Sequence, residues 1–242
     1  MLINLLEVMK VRLLKYTKGG VELVAKSARV SGVPEDLSDG EIVRMIVEND
    51  YTSALEHISF TFDLQEISIA LSRELLEHRI ASHTARSTRY LEEGDFGYFV
   101  PVEIKNHKDA LKRFDATMKS LSRAYLELKE MGVSRESRRY VLPLATHTNY
   151  VWTINARSLL NFLGLRLCVR ASPEIRELAK KLHELVVDIY PEIFKDVGCR
   201  GQNLAVCPEN EVRDSLQGKG CPYKVKGSGA YIPTKKEVRD KL

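Results

Sequence analysis

His57-Ile-Ser-Phe-Thr-Phe-Asp-Leu64 alternates apolar and polar residues at every step, and Gln65-Glu-Ile-Ser-Ile-Ala-Leu-Ser-Arg-Glu-Leu75 abandons that period at once. Successive side chains of an extended chain point to opposite faces, so Ile58, Phe60, Phe62 and Leu64 share one side and His57, Ser59, Thr61 and Asp63 the other. The pattern predicts a strand with one buried face. Leu64, Ile67, Leu71 and Leu75 then recur at three and four, the spacing of one helical stripe, and predict a helix directly after the strand.

Working outward, Leu111, Phe114, Met118, Leu121, Tyr125 and Leu128 form a second stripe, with Gly132 as its stop. A third helix is signalled by Ser172 as N-cap, Pro173 in the first turn and Glu174 beside the dipole, followed by Ile175, Leu178, Leu182, Leu185 and Ile189. Between them, Tyr150, Val151, Trp152 and Ile154 suggest a short strand, after which Asn155 caps a helix running through Cys168. Residues 1–16 read as a lead into a first strand, and 91–106 as an aromatic-rich loop. Strands and helices in irregular succession predict an α+β fold with a mostly antiparallel sheet packed against long helices. A catalytic domain is expected over 1–198. An irregular cysteine-bearing segment follows at 199–242.

The 242 residues carry 37 basic and 33 acidic side chains, a net charge of +4. The charges are interspersed, which argues against a nucleic-acid arm. No run approaches the ~18 apolar residues of a membrane span. Cys168, Cys199, Cys207 and Cys221 do not make a disulfide scaffold, so a reducing cytoplasm is expected.

Residues 77–90, Glu-His-Arg-Ile-Ala-Ser-His-Thr-Ala-Arg-Ser-Thr-Arg-Tyr, hold three guanidinium groups and four serine and threonine hydroxyls in one short stretch. Arginine forks and hydroxyls grip phosphate oxygens through directed, charge-assisted hydrogen bonds, so the segment predicts a phosphorylated ligand at a helix end and the loop beyond it.

The spacing His78-Arg79-x-x-Ser82-x-x-x-x-Ser87-x-Arg89 resembles the signature of the flavin-dependent thymidylate synthases. So do Ser27-Ala-Arg-Val-Ser31, Leu55-Glu-His57 and Asn155-Ala-Arg-Ser-Leu-Leu-Asn-Phe-Leu-Gly-Leu-Arg166, in family order over roughly residues 25–195. The resemblance implies reductive methylation of dUMP to dTMP, with FAD as cofactor and methylenetetrahydrofolate and NADPH as co-substrates. It places Ser31, Ser53, Glu56, His78, Arg79, Asn155, Arg157 and Asn161 against the flavin. Glu74, Ser87, Arg89 and Arg139 fall to the nucleotide, and Arg166 lies against the pyrimidine as the catalytic cation. It also implies a homotetramer whose active sites combine residues of several subunits.

Residue chemistry alone leaves alternatives. The helix bearing Asn155, Arg157, Asn161 and Arg166 reads as buried, with polar groups that need a ligand or partner. Arg138-Arg139 equally fits a solvated charge pair. Glu74, Glu77 and Ala85 stand where the family has glutamine, arginine and a sugar-holding glutamate or glutamine, and Tyr51 where it often has histidine. Two carboxylates near a phosphate cost about 1 to 4 kcal/mol per close contact, unless Arg73 and Arg86 pair with them. A flavin-binding paralogue with a lost or altered pyrimidine nucleotide substrate therefore stays open. Cys168 reads as a small buried residue in place of a nucleophile. Without a Cys-x-x-Cys pair, no metal site is expected. His57 and His83 read as satisfied polar residues.

Overall fold

The computed structural model describes residues 9–209, 221–224 and 227–240. Its elements are β1 (Lys10–Tyr16), α1 (Gly20–Val30), α2 (Asp39–Glu48), a 3-10 turn (Thr52–His57), β2 (Ser59–Ser68), α3 (Ile69–Leu76), β3 (Ala81–Ala85), α4 (Val102–Lys105), α5 (Lys108–Glu130), α6 (Arg135–Arg138), β4 (His147–Asn155), α7 (Ala156–Arg166), α8 (Pro173–Val187), α9 (Pro191–Phe194), α10 (Arg200–Leu204) and α11 (Lys235–Arg239). The four strands form one antiparallel sheet in the order β1-β2-β4-β3, so the fold is α+β as the sequence predicts. The expected lead into β1 covers residues 1–8 as well, and these lie outside the described residues.

The chain divides into two compact units, one of Met1–Leu14 and Thr61–Thr153, the other of Lys15–Phe60 and Ile154–Leu242. In the first unit, Phe62, Leu64, Tyr150 and Trp152 are buried from the strands, and Leu71, Leu75, Met118 and Tyr125 from the helices. Thr61 and Thr153 bond through their hydroxyls at 2.9 Å across β2 and β4. In the second unit the apolar stripes of α7 and α8 (Leu159, Phe162, Leu163; Ile175, Leu178, Leu182) are fully buried. Phe60 meets Tyr190 and Phe194 edge-on at 6.1 and 5.8 Å. Tyr190 accepts from the Gly20 amide at 3.0 Å and donates to the Thr17 carbonyl. A Cβ on Gly20 would sit 2.5 Å from that phenol oxygen, so the start of α1 requires glycine.

The buried face of β2 is the one its alternation predicts. Its end is a correction: Leu64 and Ile67 belong to the strand, and the helix starts only at Ile69. Glu66 adopts φ +58°, and its amide donates to Asn149 Oδ1 at 3.2 Å. That left-handed residue is an added step in the ladder, which puts Leu64 and Ile67 both inward three residues apart and imitates a helical spacing.

The segment expected to be loop after α3 contains the strand β3, whose terminus is held by the Arg86 amide on the Asn149 carbonyl at 2.8 Å. Polar Ser82, His83 and Thr84 hide it from periodicity, and only pairing with β4 makes it a strand. The Asn155 cap is present, its side chain accepting from the Ser158 amide at 2.8 Å. The helix ends at Arg166, short of Cys168. Cys168 is half-buried and free. In α5, Met118 and Tyr125 are buried while Leu111, Phe114, Leu121 and Leu128 are only half-buried. Gly132, at φ +80°, closes that helix by donating to the Lys129 carbonyl.

His147 gives the fold a pH dependence. Burial lowers its pKa from 6.5, with Glu66 opposing more weakly, and its Nε2 is buried without a hydrogen-bond partner. Below pH 6.5 the unfolded chain takes up the proton before the folded one does, so stability falls as pH drops through that point. In His147→Asn this component of acid sensitivity disappears. Thermal melts of both proteins between pH 5 and 7 check it.

Candidate functional site

In the second unit, α1 ends at Ser31, whose amide closes the helix on the Ala28 carbonyl at 2.9 Å. Ser31 and Ser53 line one cleft of about 430 Å³. Val33, Met45 and Ile46 form its apolar wall, and Tyr51 and His57 also border it. Tyr51 is 68% exposed, an aromatic face open to stacking. Two turns of α7 present Arg157 and Asn161 on the same exposed face, four residues apart. Arg157 donates to Glu56 at 2.6 Å, and Arg200 donates to Asn161 Oδ1 at 2.9 Å.

The expectation that these polar groups are buried is therefore corrected: the opposite face of α7 takes the core (Leu159, Phe162, Leu163), which leaves Arg157 and Asn161 outward. Arg166 ends the helix, half-buried, where a cation complements the carboxyl-terminal dipole.

The signature residues lie in the first unit. His78 follows α3, its amide on the Leu75 carbonyl at 3.0 Å. The His78 carbonyl accepts from His83 Nε2 at 3.2 Å, while Tyr150 Oη lies 3.0 Å from His83 Nδ1. His83 thus braces the turn that carries the His78 side chain. Arg79 is exposed, as is Ala85 at the end of β3.

Ser87 opens a turn, its hydroxyl accepting from the Arg89 amide at 3.3 Å and its carbonyl from Leu91 at 3.2 Å. Arg89 donates to Glu136, and Arg139 reaches the same carboxylate at 3.0 Å. One carboxylate therefore gathers two of the arginines predicted to hold phosphate. It also raises the Arg89 pKa, chiefly through that hydrogen bond.

Arg138 and Arg139 separate into different roles. Arg138 is buried, donating to both Glu92 oxygens at 3.1 Å and to the Val133 carbonyl at 2.8 Å, with its guanidinium 5.0 Å from the Tyr125 ring centre. Arg139 keeps about a third of its side chain exposed. Arg86 pairs with buried Glu93 at 2.7 Å, so it does not relieve Glu74 or Glu77. Glu77 caps α3, is exposed, and makes no ion pair among the described residues. Glu74, on α3, is half-buried.

Sequence reasoning missed Glu136, His83 as a brace, and Arg200. Nothing in Ser134-Arg-Glu-Ser-Arg138 singles out one carboxylate, and Arg200 is 39 residues from Asn161. A phosphate dianion held by these two arginines would have to displace Glu136 from both. Glu136→Gln removes that competition and is expected to tighten nucleotide monophosphate binding by about fivefold, a small effect because the pair is exposed. Calorimetric titration measures it, and weaker binding would show that Glu136 orients the arginines instead.

The family model for "Thymidylate synthase complementing protein" matches residues 12–192. A flavin-dependent thymidylate synthase of Saccharolobus solfataricus is 39% identical over 199 residues, covering 78% of this chain and 76% of its own. One from Geobacter sulfurreducens is 38% identical over 213 residues, 83% and 91% of the two chains. Among solved structures, a UMP/dUMP methylase from Streptomyces cacaoi, bound with 5-Br dUMP, superposes with a TM-score of 0.68 at 25% identity, covering 77% of this chain and 93% of that one.

Proposed function

The chain belongs to the thymidylate synthase complementing protein family, and on that premise we propose roles for its site residues in the reaction of a flavin-dependent thymidylate synthase. That reaction is the reductive methylation of dUMP to dTMP, with methylenetetrahydrofolate giving the carbon and NADPH the reducing equivalents. The pairing of Arg89 and Arg139 with a single carboxylate, beside the Ser87 hydroxyl that accepts from the Arg89 amide, carries the nucleotide assignment: hydroxyl and paired guanidiniums are the donor set of a phosphate monoester.

FAD, when bound and reduced by NADPH, would supply the hydride that the reductive methylation requires. The residues fit such a group. Ser31 and Ser53 offer hydroxyls on a cleft with an apolar wall, and Glu56 holds the Arg157 guanidinium outward, ready for an anionic ligand. Asn155 turns the chain into α7, and Asn161 offers an amide on its open face. His78 and Arg79 complete the flavin set, with the His78 turn braced by His83. Glu74 is assigned to the nucleotide. Arg166 lies against the pyrimidine, where a fixed cation stabilises negative charge on the ring without a covalent enzyme nucleophile. Half-buried Cys168, its thiol pKa raised by burial, suits no such nucleophile.

The catalytic domain is assigned to residues 1–198, in a homotetramer whose active sites combine several subunits. Four free thiols suit a cytoplasmic setting. No described helix is long and apolar enough to cross a membrane. Glu77 in place of arginine leaves the nucleotide side less cationic than the signature, and Ala85 leaves it without the side chain that holds the sugar, which together predict weak dUMP binding with intact chemistry.

The test is a product or tritium-release assay with dUMP, methylenetetrahydrofolate and NADPH on the yellow protein and its Glu77→Arg variant. Wild-type turnover with tighter dUMP binding in the variant is the expected result. If neither protein binds dUMP while both hold FAD, the reading fails, and a flavoprotein with another nucleotide substrate replaces it.

A further inference from the structure

None of the four cysteines has a part in this chemistry. In the sequence, 30, 7 and 13 residues separate Cys168, Cys199, Cys207 and Cys221, and no close pair marks a ligand site. All four are free, half-buried and in the second unit.

The fold draws their chain segments together. Cys168 stands two residues past α7, and Cys199 caps α10, which packs on α7. A Cβ on Gly201 would lie 3.8 Å from Cys199 Sγ and 3.6 Å from Cys207 Cβ, so those two side chains flank one point. Cys207 is pinned by its amide on the Pro233 carbonyl at 2.7 Å and by the Lys235 amide on its own carbonyl at 2.9 Å. The turn after Cys221 is tied to α10 by Gln202 and the Tyr223 hydroxyl at 2.6 Å. An ion pair of Arg170 with Glu209 joins the Cys168 loop to the segment after Cys207.

Burial raises the Cys168 thiol, and Cys199, Cys207 and Cys221 push it in the same direction against a backbone hydrogen bond from Arg170. Such a cluster is poor as four bare thiolates, but a soft cation reverses the balance, because a coordinating thiol gives up its proton to solvent and forms a metal–sulfur bond.

We propose that Cys168, Cys199, Cys207 and Cys221 form a four-thiolate site for one thiophilic metal centre, a zinc ion or an iron–sulfur cluster, which straps the C-terminal segment to the end of α7. Among the described residues no three metal-ligating side chains stand close enough together to hold an ion, so the site closes on its metal to reach bonds of about 2.3 Å for zinc. Four sulfurs without an intervening carboxylate or imidazole select a soft centre over magnesium or calcium. The strap reaches the proposed flavin helix, because α10 carries the Arg200 that bonds Asn161 and whose side chain lies against Gly164.

The full chain, produced with both zinc and iron and purified under reductant without chelator, is assayed for zinc, iron and acid-labile sulfide. One centre per chain is expected, read either as stoichiometric zinc or as iron with acid-labile sulfide. Cys168→Ser and Cys221→Ser should each lose that content. As a readout that needs no variant, a thiophilic chelator should lower the melting temperature of the native protein. Zn2+ added back, or cluster reconstitution if the native centre is iron–sulfur, should restore it, and Mg2+ should not. Metal far below one centre per chain, or content unchanged in both variants, overturns the proposal.

Discussion

Arg166→Ala is expected to lower kcat by about 10²- to 10³-fold while the purified protein stays yellow. Truncation removes the cation proposed to lie beside the pyrimidine, and loss of one preorganised charge-stabilising donor costs about 3 to 4 kcal/mol at the barrier. Flavin should be retained because the proposed flavin residues Ser31, Ser53, Glu56 and Arg157 do not include Arg166. Arg166→Lys keeps the charge but not the planar fork, and should recover only part of the rate. Single-turnover kinetics with dUMP, beside the flavin absorbance of each variant, provide the measurement. Unchanged turnover in the alanine variant would remove Arg166 from the chemistry.

Adjacent arginines give the second large effect, in opposite quantities. Arg139→Ala should weaken dUMP binding by about 30- to 150-fold, the equivalent of about 2 to 3 kcal/mol for one charged partner, with the melting temperature nearly unchanged. Arg138→Ala should cost about 2 to 4 kcal/mol of stability, since it removes the hydrogen bonds of a buried guanidinium to Glu92 and the Val133 carbonyl and empties the space against Tyr125, although Glu92 keeps Lys129 at 3.5 Å. Its effect on nucleotide affinity at low temperature should be small. Denaturant titration and nucleotide titration of the pair separate the two roles, and equal loss of affinity in both would refute the division.

That division marks the limit of reading the chain by itself. Two arginines in succession have the same local chemistry. Their difference comes from Glu92 and Tyr125 on one side and Glu136 on the other, and Glu92 is 46 residues from Arg138. Arg86 shows the same limit: its nearest carboxylate in the signature is not its partner, because Glu93 is carried into reach by the turn after Ser87. Glu66 shows how a tertiary feature can imitate a local one, since a single left-handed residue turned a strand parity into an apparent helical step.

By itself the sequence determined the buried face of β2, the stripes of α5 and α8, the Asn155 cap and the signature spacing that names the family. Each of these rests on periods and steric preferences expressed within a few residues. Only the tertiary structure decided that Ala81–Ala85 is a strand, which arginine is structural, that Glu136 gathers the phosphate-type arginines, and that chain segments bearing widely spaced cysteines are tied together. These are long-range pairings, and their partners are set by the packing of whole elements, a cooperative outcome that no short window of sequence contains.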